Sequence, residues 1–320
     1  MLRFLRDATM QLKGYLAAPM ETGTWWRGAE GVRAGWRVAI WVLLIAGIAL
    51  LEAGVVRLLI MLFHPPIPHP KGLTPLVVCL GEGASLIPVL GASWMMGFAE
   101  GTGLTASGLG REGLPLALNG GAFGLLSLSI LVLILALAGA AAIQPGGMSW
   151  LGDLRYGAEW LLASLLIGLF EEILFRGYLL QTLWRGLGFW PAAMVTSLIF
   201  GGLHGHNPGE TYTGLVAVTC FGIFISLSIR YTISLWWAIG FHAVWDYGEN
   251  FVFGSADSGN ITLHTFLRMA PQGNVYLSGG ATGPEGSVLC LAMIFAGILL
   301  LWKVSGARPG AKNLSPSTAT

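Results

Sequence analysis

Residues 160–176 read WLLASLLIGLFEEILFR. An apolar run that begins at Trp160 leads into two adjacent carboxylates, Glu171 and Glu172, and then Arg176. A charged side chain at the centre of a membrane helix costs about 2.5–3.5 kcal/mol on insertion scales. Two adjacent carboxylates in such a run need partners, water or a chemical role. Glu172 and Arg176 stand four residues apart, so a helix brings them together on one face. Glu171 projects about 100° away and is left unpaired by its own helix.

The surrounding chain has the composition of a membrane protein. It has 320 residues, 54% hydrophobic and 10% charged, where soluble domains carry roughly 25% charged residues. The formal net charge of +1 gives no basis for binding nucleic acid. Cys79, Cys220 and Cys290 lie singly in apolar segments. Without a CxxC pair, neither a zinc knuckle nor a disulfide framework is indicated, and the three read as small buried apolar residues.

A spanning helix needs about 20 mostly apolar residues, and about eight stretches qualify: 36–62, 74–98, 114–143, 157–184, 189–206, 212–230, 233–253 and 286–303. The second is interrupted by Gly81-Glu82-Gly83 and Pro88, and the fifth runs into Gly201-Gly202. The fold class is therefore all-α, a polytopic membrane protein of about eight transmembrane helices. Residues 1–35 are polar and basic, with no signal-type apolar core or cleavage site, so the first span reads as an uncleaved anchor. Met1–Leu16 is a candidate for a helix lying on the membrane surface. Most of the 17 Lys and Arg residues fall on one side of these spans, which predicts cytoplasmic termini. Loop 254–285 is then external, and the tail after Lys303 reads as disordered.

Three polar clusters interrupt the second half: Glu171-Glu172-Ile173-Leu174-Phe175-Arg176, Phe200-Gly201-Gly202-Leu203-His204 and His242-Ala243-Val244-Trp245-Asp246. Phe200 lies one helical turn from His204 and can pack on its ring, while His242 and Asp246 are again four apart. Glu171 lies about 14 residues from Arg185, and His204 about 14 from Trp190, so each sits about 21 Å above the cytoplasmic edge. His242 lies about 12 residues from Arg230, about 18 Å up. Three helices thus bring Glu171, His204 and His242 to one level, with Asp246 one turn further out. Such a set can hold a divalent metal. It can equally let Glu171 act as general base on water while the histidines stabilise developing negative charge. Both routes lead to hydrolysis. No Walker or GxGxxG phosphate loop accompanies the site.

The ordered set EExxxR, FxxxH and Hxxx(Asn/Asp), over about residues 155–253, resembles the CPBP family, also called Abi. That family comprises CAAX prenyl endopeptidases and bacteriocin-processing or bacteriocin-immunity membrane proteins. The resemblance implies an eight-helix CAAX-protease-like bundle and an intramembrane endopeptidase whose site opens to the cytoplasm. It maps the catalytic glutamate to Glu171, the two histidines to His204 and His242, and the last site residue to Asp246. Glu172, Arg176 and Phe200 become supporting residues. The family's usual Asn at the last position is here Asp246, a better metal ligand but no hydrogen-bond donor when ionised. Zinc or another divalent metal on Glu171, His204, His242 and Asp246 and a metal-free mechanism both stay open.

On this reading residues 1–35 form a cytoplasmic or interfacial segment and 36–145 the N-terminal helices. Residues 150–303 form the CPBP-type catalytic region, and 304–320 the cytoplasmic tail. The expected partners are the lipid bilayer, in which the chain is a multi-pass protein of the cell membrane, and a peptide or protein substrate, for which the family precedent is a lipidated C-terminus. Two other classes fit the same residues: a non-catalytic binding or bacteriocin-immunity member of the fold, and a small transporter using the polar cluster as an ion site. Glu52, Arg57 and Glu82 are intramembrane charges outside the motifs, and His206 reads as interfacial.

Overall fold

The computed structural model describes residues 27–28, 31–64, 72–104, 108–110, 113–232 and 234–306. The surface helix expected over Met1–Leu16 and the tail beyond residue 306 lie outside these. Short strands β1 (Arg27–Gly28) and β2 (Gly31–Val32) pair antiparallel before the first helix. The long helices are α1 (Ala34–Phe63), α2 (Pro75–Ala99), α3 (Leu114–Leu137), α4 (Trp150–Glu172), α6 (Phe189–His204), α7 (Tyr212–Thr232), α8 (Leu235–Tyr247) and α10 (Val288–Gly306). Shorter helices are α5 (Leu180–Leu187) and α9 (Val275–Ser278). By length and composition, α1, α2, α3 and α7 are able to cross a membrane. The apolar helices Phe189–His204 and Val288–Leu301 are shorter. Leucines such as Leu43, Leu50, Leu80 and Leu118 point outward, as a lipid-facing surface requires.

Local chemistry sets the helix starts. Thr74 accepts a hydrogen bond from the Val77 amide at 3.4 Å, with Pro75 following it. Ser149 accepts from the Gly152 amide at 3.3 Å, and Asp153 adds negative charge to the first turn of α4. The glycines and Pro88 that interrupt the second expected span do not break α2, which is continuous through them. In a bundle, neighbouring helices can compensate for a freed backbone group.

Three expectations about the elements need correction. The third span, expected to reach residue 143, ends at Leu137; the chain turns at Gly139 (φ +68°) into strand β3 (Ala141–Pro145). The segment 254–285, expected as a loop, contains strand β4 (Leu267–Pro271), which pairs antiparallel with β3, Ala141 opposite Pro271 and Pro145 opposite Leu267. The spans expected as continuous helix over 157–184 and 233–253 pass into π-helical turns, at Ile173–Leu179 and Gly248–Phe253. The first wide turn begins within the first polar cluster, just after Glu172, and the second follows the third cluster; such bulges recur at functional sites.

Helix α8 is held by close backbone approach. A Cβ on Gly240 would meet the Ala117 carbonyl oxygen of α3 at 1.9 Å, and one on Gly168 of α4 would meet Ala243 at 3.0 Å. Small residues at helix crossings permit this spacing. At the end of α2, Glu100 accepts from Arg37 Nε at 2.9 Å and Tyr178 Oη at 2.5 Å, and Arg185 lies at 3.6 Å. One carboxylate thereby ties together α1, α2, the first π turn and α5. The main core runs through Trp41, Leu128, Leu180, Phe200, Ile225 and Ile239.

Candidate active site

Helices α4, α6 and α8 present the three polar clusters. Glu172 is fully buried. Its Oε1 lies 3.3 Å from Arg176 Nη1 and 2.7 Å from His242 Nδ1. One carboxylate therefore bridges the guanidinium on its own chain segment and the imidazole of α8. His242 donates Nδ1–H to Glu172, so Nε2 is the nitrogen turned to the remaining carboxylates. It lies 3.5 Å from Glu171 Oε2 and 3.6 Å from Asp246 Oδ1. Glu171 keeps 20% of its side chain exposed, against 0% for Glu172. The second carboxylate oxygen of Asp246 is buried and has no hydrogen-bond partner among the described residues.

His204 is oriented separately. Its Nδ1 lies 2.8 Å from the Phe200 carbonyl, which can only accept, so Nδ1 carries the proton and Nε2 is left with its lone pair. Phe200 links the clusters: its ring lies 4.6 Å from the His204 ring, 6.3 Å from the His242 ring and 5.1 Å from the Phe175 ring. The Arg176 guanidinium lies 4.3 Å from the Phe200 ring centroid, a cation–π geometry. The contacts thus join Glu171, Glu172, Arg176, His242 and Asp246 directly, and join His204 to them through Phe200. His206 is exposed beyond the helix end, with Nδ1 3.3 Å from the Leu203 carbonyl.

Residues outside the motifs enlarge the site. Glu82 of α2 has a buried oxygen without a hydrogen-bond partner and lies within electrostatic range of Glu171, Asp257 and His242. Only its charge in an apolar run marked it in the sequence. Asp257 and Glu285 come from the loop after α8, and Glu249 from the second π turn; nothing in their local sequence sets them apart. Burial and the neighbouring Glu285 carboxylate push the Asp257 carboxyl up to about 7.

Residues 154–248 match the family model of the type II CAAX prenyl endopeptidase Rce1-like proteins. The match is consistent with a CPBP-family intramembrane peptidase, whose fold is a helical membrane bundle. The Rce1-like segment begins near the start of α4 and ends in the second π turn, so it contains all three polar clusters. No curated protein matches the chain.

Among the described residues, the ligand atoms gathered within 4.8 Å of one another are those of Glu249, Asp257 and Glu285 and not those of the motif residues, although the outer hydrogen bonds of the two motif imidazoles suit metal ligands. Metal-binding histidines usually donate their other ring N–H to a carboxylate or backbone carbonyl. Within the Rce1-like segment, His242 does so to Glu172 and His204 to Phe200. The residues that would hold such an ion are Glu171, His204, His242 and Asp246, and it would supply Lewis-acid activation of water.

Proposed function

We propose that the protein is an intramembrane endopeptidase that hydrolyses a peptide bond of a membrane-associated substrate, with a CAAX-type lipidated C-terminus as its substrate class. Glu171 takes a proton from water, the hydroxide attacks the scissile carbonyl, and as the C–N bond breaks Glu171 returns that proton to the leaving amine. His242, positioned by Glu172, and His204, positioned by the Phe200 carbonyl, turn their Nε2 atoms to the reacting groups. A protonated Nε2 would donate to the oxyanion. Asp246 orients His242 and balances its charge. The eight-span arrangement with cytoplasmic termini belongs to the same proposal.

The observation that carries the reading is the contrast between the two glutamates. Glu172 is committed to Arg176 and His242, while the partly exposed Glu171, among the described residues, has its ion-pair approach to the outward nitrogen of His242. The motif-bearing Rce1-like match supports it independently. The test is quantitative proteomics of cleavage products in cells carrying the native chain or Glu171→Gln. C-terminal products should appear only with the native chain. Identical product sets from both would overturn the assignment.

A further inference from the structure

A second cluster lies beside the proposed peptidase site, formed by Glu249, Asp257 and Glu285. One ligand oxygen from each lies within 4.8 Å of the others. Oxygens no farther apart than this can share one calcium ion, whose ligands sit about 2.3–2.6 Å from it. The three residues come from three places in the chain: Glu249 from the π turn that ends α8, Asp257 from the loop that follows it, and Glu285 from the 3-10 turn Pro284–Gly286 just before α10.

A separate observation points to a ligand. The Glu249 side chain is fully buried; the Trp245 indole is near it but donates to Glu285, and neither Glu249 oxygen has a hydrogen bond of normal geometry among the described residues. Asn250 is also fully buried; its Nδ2 donates to Asp257 Oδ2 at 2.7 Å, and its own Oδ1 is left without a partner. The donors that do reach the cluster serve Glu285 and Asp257: Trp245 Nε1 donates to Glu285 Oε1 at 3.1 Å, and Ser258 Oγ donates to Glu285 Oε2. Among the described residues, no ion pair brings Lys, Arg or His to any of the three carboxylates. Carboxylates this close, Glu249 fully buried and Asp257 and Glu285 half-buried, repel each other unless a proton or a cation lies among them.

We propose that Glu249, Asp257 and Glu285 bind a hard divalent cation of the calcium class, which clips the loop after α8 to the helix carrying His242 and Asp246. The set contains oxygen ligands and neither His nor Cys, which favours calcium, magnesium or manganese over zinc. Asn250, whose amide nitrogen already bonds Asp257, carries an unpartnered carbonyl-type oxygen of the kind calcium uses. The clip holds whether or not Glu171 performs peptide hydrolysis, because its readouts are binding and stability.

The test uses the full chain in detergent, stripped with chelator and titrated with calcium, magnesium and manganese. We expect saturable binding of calcium, with a dissociation constant of about 10⁻⁴–10⁻³ M as in external calcium modules, and a rise in thermal midpoint. Glu249→Gln and Glu285→Gln should each weaken binding at least about tenfold, as loss of one charged ligand does. Each should be no less thermostable than the native chain in chelator, since a buried charge is gone. Glu171→Gln should bind calcium as the native chain does. Terbium in place of calcium should luminesce through Trp245, and Trp245→Phe should lose that emission while still binding terbium by calcium competition. This arm decides the matter if the glutamine variants fail to fold. No saturable binding by any of the three cations would overturn the proposal and leave shared protons to hold the cluster. Unchanged affinity in Glu249→Gln and Glu285→Gln, or equal loss in Glu171→Gln, would also overturn it.

Discussion

Glutamine at Glu171 and glutamine at Glu172 should fail in different ways, although the residues are adjacent and the substitutions identical. Glu172 has no exposed surface and bridges Arg176 Nη1 at 3.3 Å and His242 Nδ1 at 2.7 Å. Removing its charge leaves a fully buried guanidinium without its ion-pair partner. Breaking a buried pair in this way costs about 3–5 kcal/mol, or about two to three and a half powers of ten in the folding equilibrium. The amide can still accept from His242, so the imidazole orientation suffers less than the fold. Glu171 is 20% exposed and makes one long approach, 3.5 Å, to His242 Nε2. Its neutralisation should change stability by less than about 1 kcal/mol, while loss of a general base lowers turnover by about 10²–10⁴-fold. Purified variants can be compared by reversible unfolding and by cleavage of a fluorogenic membrane peptide, with rates normalised to folded protein. Glu172→Gln should be destabilised yet retain turnover per folded molecule, and Glu171→Gln should show the reverse. If both variants lost stability equally, or if Glu171→Gln kept near-native turnover, the division of roles between the two carboxylates would be wrong.

Other outcomes follow from the same geometry. Gly240→Ala places a methyl 1.9 Å from the Ala117 carbonyl oxygen; separating α3 from α8 should cost at least about 1–3 kcal/mol and reduce the yield of folded protein on size-exclusion chromatography. Elemental analysis of purified native protein should find zinc at up to about one equivalent per chain, lost in His204→Ala and His242→Ala, with chelator suppressing activity and zinc restoring it. An active protein indifferent to strong chelators would favour the metal-free route. Reporter fusions at residue 320 and within loop 254–285 should report opposite sides of the membrane; the same side for both would refute the eight-span arrangement.

Long apolar runs were readable without the structure because each span must satisfy its own backbone hydrogen bonds, which makes helix a local decision. That is why the ends expected for α1, α2, α6 and α7 lie within a few residues of those observed. The pairs Glu172–Arg176 and His242–Asp246 and the stacking of His204 on Phe200 were readable for the same reason, since each joins residues one helical turn apart. The bond from Glu172 to His242 spans 70 residues of chain, and no local pattern announces it. It decides which of two adjacent carboxylates is committed to structure and which faces the open side of His242. Strands β3 and β4, the π turns, and the arrival of Glu82, Asp257 and Glu285 beside the motifs depend in the same way on how distant segments pack. The sequence by itself determined the membrane class, most of the helices and the residue types able to do chemistry, because periodicity and hydropathy act over a few turns. Only the tertiary structure decided which charges neutralise one another and which are left over, because that balance is struck between helices brought together by packing.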